Sequence, residues 1–148
     1  MTSADLRVIV AKPKHARIVA FIVNRAYHRV EGLAEFEEKP LEAERRIRDQ
    51  TVLLFCTSEA TVATVSYCPL PDEPTCALVS RFAVDPQSQR KGYGAAAFRA
   101  LTARLRYEGY TTAVGRSLDV MDRAHKLYAA HGVQSQERRR IRTLSLKL

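Results

Sequence analysis

The amino-acid sequence predicts one mixed α/β domain, and three observations carry that prediction. The chain opens on a strand followed by a helix, holds a β-hairpin before its midpoint, and then runs a strand, a glycine-bearing loop and a long helix in direct succession. At 148 residues and 46% hydrophobic, it has apolar material for one core and is short for two domains of ordinary size.

Leu6–Val10 reads as a short β-branched strand. After Pro13, the segment His15–Tyr27 puts Ile18, Val19, Ile22, Val23 and Ala26 at helical spacing. Val30–Glu38 is an acidic stretch containing Gly32, expected to be a loop or short helix. Pro40 then stands at a helix start, and a basic helix follows through Arg45, Arg46 and Arg48. Thr51–Thr57 and Thr61–Tyr67 are β-rich runs separated by Ser58, Glu59 and Ala60, which suits an antiparallel hairpin. Pro69, Pro71 and Pro74, with Asp72 and Glu73, make a loop.

Cys76–Val84 is apolar on both alternating faces apart from Ser80 and Arg81, the pattern of a strand inside a sheet. Gly92–Glu108 is a long helix whose apolar stripe includes Phe98, Leu101 and Leu105, with Gly109 as its terminator. Thr111–Arg116 is a strand, Met121–His131 a helix ending at Gly132, and Thr143–Leu148 a strand alternating Leu144, Leu146 and Leu148 with polar residues. There is no internal repeat and no low-complexity linker.

No window approaches the roughly 18 consecutive apolar residues of a membrane span, and Met1–Asp5 lacks a signal peptide's charged start and apolar run. A soluble, cytoplasmic protein without membrane partners is expected. Cys56, Cys68 and Cys76 form no CxxC pair and have no His at ligand spacing, so reduced thiols and no metal are expected. The net charge of +8 favours anionic partners, which include nucleic acid, an acidic membrane and a polyphosphate cofactor alike.

The strand ending at Val84, the turn at Asp85 and Pro86, and two glycines opening a long helix form an anion cradle. Without Cβ atoms at Gly92 and Gly94, consecutive N–H groups at the helix start can converge on phosphate oxygens. Gln89, Arg90 and Lys91 add side-chain donors at its rim. A P-loop needs Gly-Lys-Ser/Thr after a four-residue gap, and a dinucleotide fold needs a third glycine and a downstream acid; the sequence has neither.

Gln89-Arg90-Lys91-Gly92-Tyr93-Gly94 resembles the Q/R-x-x-G-x-G/A signature of the GNAT superfamily of N-acetyltransferases, and Phe82-Ala83-Val84-Asp85-Pro86 resembles the strand and turn before it. Ala124, Tyr128, Gly132 and Val133 resemble the family's downstream pattern of Ala, Tyr, then Gly and an apolar residue. The resemblance implies a mostly antiparallel sheet of six to seven strands, one splayed parallel pair within it, and about four flanking helices. It also implies acetyl-CoA as cosubstrate, bound by Phe82, Ala83, Val84, Gln89, Arg90, Lys91, Gly92, Tyr93, Gly94, Ala95, Ala124 and Tyr128, with no metal. The splayed strands are expected around Phe82–Val84 and Ala113–Ser117, and Tyr128 is the expected general acid. Read on its own, Tyr128 is a core tyrosine sharing a face with Met121, Ala124 and Leu127.

Two positions depart from the family's habit: Met121 stands where Asn is frequent, and Ser80 where a carboxylate base is frequent. Glu31, Glu35 and Glu73 are alternative bases, and a water chain or an amine of low pKa dispenses with one. The acidic run Glu31, Glu35, Glu37 and Glu38 is a solvated surface or an attractor of a cationic amine; Arg138, Arg139, Arg140 and Arg142 are a solvated hairpin rim or a contact for an acidic partner. Tyr27 and His28 end the first helix near the acceptor side.

The sequence thus points to an N-acetyltransferase acting on the primary amine of a small molecule or protein, with a homodimer the family's habit. An acyl-CoA-binding regulatory module without turnover is the alternative. A nucleic-acid-binding domain ranks last, because the basic residues are scattered and no helix-turn-helix or RNP-like text is present.

Overall fold

The computed structural model describes residues 6–30, 32–88, 91–118, 129, 132, 134–138 and 141–148. The hairpin organises the sheet. Strands β2 (Thr51–Cys56) and β3 (Thr61–Pro69) pair antiparallel, Thr51 against Tyr67 and Phe55 against Ala63. Thr57 closes the turn, its Oγ1 accepting the Glu59 and Ala60 N–H groups at 3.2 and 3.1 Å. Strand β1 (Arg7–Val10) adds to the outside of β2, and β4 (Cys76–Val84) to the free edge of β3. Strands β5 (Thr112–Leu118), β6 (Gln134–Arg138) and β7 (Ile141–Lys147) complete a seven-stranded sheet in the order β1-β2-β3-β4-β5-β7-β6. Among the described residues only the β4–β5 pair is parallel.

Alternation along the hairpin strands divides the core between the two sheet faces. Leu53, Phe55, Val65 and Tyr67 face α3 (Tyr93–Tyr107), meeting Ala97, Leu101 and Leu105. Val52, Leu54 and Cys56 face the other way, against Val19 and Ala20 of α1 (Ala16–His28) and Ala43 and Ile47 of α2 (Pro40–Asp49). Full burial of Val- to Phe-sized side chains is worth roughly 1.5–3 kcal/mol apiece. Ile22 and Val23 carry α1 further along, onto Ala83 of β4, so the helix overlies the far end of the central strand.

Three α-helices lie among the described residues. The fourth expected helix, Met121–His131, falls outside them except for Ala129, which is helical and whose carbonyl accepts the Gly132 N–H at 3.1 Å. Gly132 has φ 84°, the conformation expected of a helix terminator. The sequence reading omits β6, which pairs with β7 from Gln134↔Ser145 to Arg138↔Ile141. Its text, Gln-Ser-Gln-Glu-Arg, has no apolar alternation because it is an edge strand with one neighbour. The acidic stretch after α1 is a loop, and no described helix is long and apolar enough to cross a membrane.

Candidate active site

Strand β4 changes neighbours along its length. From Cys76↔Thr112 to Val79↔Gly115 it pairs with β5. Beyond that point β5 runs on against β7 as far as Leu118↔Ile141, while β4 runs on against β3 as far as Val84↔Ala63. The two parallel strands therefore part, and the last residues of β4 lose β5 as a hydrogen-bonding neighbour. The gap begins later on β5 than the sequence suggests, because Ala113 and Val114 pair with Ala77 and Leu78.

A β-bulge accounts for the parting. Ser66 faces Ser80 and Thr64 faces Ala83, so Val65 alone spans Arg81 and Phe82. Arg81 takes the left-handed backbone, φ 55°, which few residues other than glycine adopt. Such an extra residue bends its strand and increases the local twist, here at the place where pairing with β5 ends. At the last paired position, Gly115 is required by close approach: a Cβ there would lie 3.0 Å from the Val79 carbonyl oxygen.

The chain then turns from β4 into α3. The Asp85 N–H bonds the Val62 carbonyl at 2.8 Å, and its carboxylate accepts the Gln87 N–H at 3.2 Å and pairs with Arg25 of α1 at 3.3 Å. Gly92 caps α3 with φ 79°, and among the described residues no side chain caps the helix or puts an acid in its first turn. The leading N–H groups of α3, at Tyr93, Gly94 and Ala95, have no helical partners and point out of its N-terminus, with exposed Lys91 beside them. Together with the positive end of the helix dipole, they suit an anion. Phe82 joins the two limbs of the turn, its ring edge-on to Phe98 of α3 at 6.2 Å.

Of the site residues read from the sequence, Phe82, Ala83, Val84, Lys91, Gly92, Tyr93, Gly94 and Ala95 lie on this strand, turn and helix start. Gln89, Arg90, Ala124, Tyr128, Met121 and Glu31 lie outside the described residues. Glu35 and Glu37 are exposed on the loop after α1. Glu73 stands before Cys76, at the end of β4 that is still paired with β5, so it is not brought to the gap.

A polar cluster that sequence reasoning missed lies on the α1 face of the bulge. Glu38 is 4% exposed. Its backbone is locked to Asn24 of α1, whose Oδ1 accepts the Glu38 N–H at 2.7 Å and whose Nδ2 donates to the Glu38 carbonyl at 2.9 Å. Its carboxylate accepts two bonds from Arg46 of α2, Nη2 to Oε1 at 2.6 Å and Nε to Oε2 at 3.1 Å. Arg46 also donates to the Ser66 hydroxyl. Arg81 approaches the same carboxylate from the bulge, Nε 3.7 Å from Oε2, with its guanidinium over the rings of Phe36 and Tyr27 at 5.2 and 5.9 Å.

Those two rings are in contact, 4.8 Å between centroids. Burial pushes the Tyr27 phenol up, against the lowering influence of Arg81. His28 donates from Nε2 to the Phe36 carbonyl at 2.5 Å, so it holds the loop to α1. The available signal was Arg81 itself, a charge in the middle of an otherwise apolar central strand, which demands partners.

The sheet parts its two parallel strands beside a glycine-led helix, an arrangement whose main-chain donors suit an anionic group. The sequence matches the acetyltransferase (GNAT) family over residues 28–133. The chain belongs to that family. Among solved structures of the same fold is PaiA N-acetyltransferase from Thermoplasma acidophilum in complex with coenzyme A, at TM-score 0.81 and 7% identity over 97% of this chain and 99% of that one. Ribosomal-protein-alanine N-acetyltransferase from Brucella melitensis superposes at TM-score 0.76 with 15% identity, over 97% and 100% of the two chains. The GNAT domain of S. lividans PAT does so at 0.78 with 16% identity, over 97% and 90%. No curated protein sequence matches the chain significantly.

Proposed function

We propose that the chain transfers an acetyl group from acetyl-CoA to a primary amine by direct attack of the amine on the thioester. The observation that carries this reading is the parting of β4 and β5 beyond Val79 and Gly115, directly ahead of a helix that opens without a side-chain cap. Main-chain N–H groups of Gly92, Tyr93, Gly94 and Ala95, with the side chains of Gln89, Arg90 and Lys91, take the pyrophosphate. Main-chain groups of Phe82, Ala83 and Val84, which follow the segment of β4 paired with β5, take the pantetheine arm and polarise the thioester carbonyl.

In the reaction a C–N bond forms and the C–S bond breaks; nitrogen gives up a proton and the departing thiolate gains one. Tyr128, four residues after Ala124 in the sequence, is the donor to sulfur, since a phenol with an ordinary pKa of about 10 is protonated at neutral pH. Ser80 supplies no carboxylate, and both Glu38 oxygens are engaged by Arg46. The amine arrives as the free base or loses its proton to water, with Glu31 and Glu35 as the alternative bases.

Calorimetric titration with CoA and acetyl-CoA, followed by thiol release over an amine panel, tests this. Micromolar-range binding and amine-dependent release are expected, and valine at both Gly92 and Gly94 should abolish the binding. No affinity for either form of the coenzyme would end the proposal. Binding without release from any amine would instead mark a coenzyme-sensing module, a reading supported by Ser80 in the place of a carboxylate.

A further inference from the structure

We infer that Arg81 binds an anionic group of the acceptor, so that the amine acetylated carries a carboxylate, as an amino acid does. This rests on the acyl-transfer reading above and adds the substrate class. The cluster around Glu38 has an imbalance of charge: two guanidinium groups, Arg46 and Arg81, share one buried carboxylate. Arg46 takes the close contacts to both oxygens, at 2.6 and 3.1 Å. Arg81 is left at 3.7 Å, with its buried Nε making no hydrogen bond. Arg25 and Asp85 pair with each other, are neutral in sum and do not offset the excess.

Arg81 is also held ready. Phe36 and Tyr27 lie against its guanidinium, which restricts the plane in which the group can sit. A planar cation already fixed in orientation suits a carboxylate, which it can meet with two parallel N–H bonds. The Arg81 side chain remains 39% exposed, so part of it is open to a ligand. It stands one residue before Phe82, at the point where β4 leaves β5. An anion on Arg81 and an amine at the thioester thus lie within the span of one small molecule. Among the described residues of the acidic stretch, Glu38 is taken up by the two arginines, and Glu35 and Glu37 are exposed.

The test uses the full chain, saturating acetyl-CoA, and amino acids paired with their methyl esters. Rates are counted per deprotonated amine, because esterification lowers amine basicity. We expect kcat/KM for the free acids to exceed that for the esters by at least about tenfold. In Arg81→Gln the ratio should fall towards one through a rise in KM for the acid, with Arg81→Lys between the two. The thermal shift given by CoA should persist in both variants, which separates acceptor binding from coenzyme binding. Equal use of acids and esters by the unaltered protein, or a ratio untouched in Arg81→Gln, overturns the assignment. Turnover confined to amines without an anionic group overturns it alone and leaves acyl transfer standing, whereas CoA binding without turnover of any amine overturns both. Should Arg81→Gln fail to fold, the acid-to-ester ratio of the unaltered protein and its change in Arg81→Lys decide.

Discussion

Arg46 grips Glu38 with two hydrogen bonds, at 2.6 and 3.1 Å, across the boundary between α2 and the loop that leads into it. The pair does more than close that loop. Through Ser66 it reaches β3 opposite Ser80, and through Arg81 it reaches the bulge that parts β4 from β5. One buried ion pair thus joins the overhanging loop, the second helix and the distortion on which the cleft depends.

Removing the carboxylate leaves two arginines near the core without a counter-charge. Breaking a buried pair from one side generally destabilises by about 3–5 kcal/mol. Glu38→Gln is expected to lower the unfolding free energy by that amount in urea denaturation. A loss inside the range of about 0–1 kcal/mol typical of exposed pairs would show that water already compensates these charges.

Much of this architecture is legible in the sequence, for physical reasons that differ by element. α1 buries one whole face and β2 and β3 bury both, so the helical spacing of Ile18, Val19, Ile22 and Val23, and the β-rich runs of the Thr51–Tyr67 hairpin, are written in apolar residues. β6 bears no such trace, because an edge strand can hold its place through main-chain bonds to β7 alone. At the site, the glycines of the turn are visible since close backbone approach demands them. Glu38 is not, because nothing local distinguishes it from Glu35 and Glu37, and only the fold brings Arg46 and Arg81 to it.

The end of the paired segment depends on Gly115. A side chain there meets the Val79 carbonyl oxygen, a backbone atom of a central strand that cannot rotate away. Gly115→Val is expected to lose about 1–3 kcal/mol of stability through overpacking. Thermal denaturation of the variant checks this, and an unchanged midpoint would mean that β5 yields more freely than its pairing with β7 suggests.

Tyr67 anchors the C-terminal end of α3, donating to Glu108 Oε2 at 2.7 Å, while Arg104 Nε donates to the same carboxylate at 2.9 Å. Burial, then the carboxylate partner, push the phenol up to about 12. A raised folded-state pKa gives stability that is complete below the unfolded value of about 10 and lost as pH climbs towards 12. The unaltered protein should therefore weaken more steeply between those limits than Tyr67→Phe, measured by denaturant midpoints at stepped pH. Parallel curves would mean that the phenol titrates alike folded and unfolded.

The place where the amine loses its proton can be read from the pH dependence of the rate. Ser80 cannot serve as a base, Glu38 is occupied by Arg46, and Glu73 stands at the wrong end of β4. If the acceptor must deprotonate in solution, kcat/KM should rise about tenfold per pH unit below the pKa of the free amine and level off above it. Its midpoint should then move when one amine is exchanged for another of different basicity, under saturating acetyl-CoA. A midpoint that stays fixed across such amines belongs to the protein, and would replace solvent deprotonation with a side-chain base.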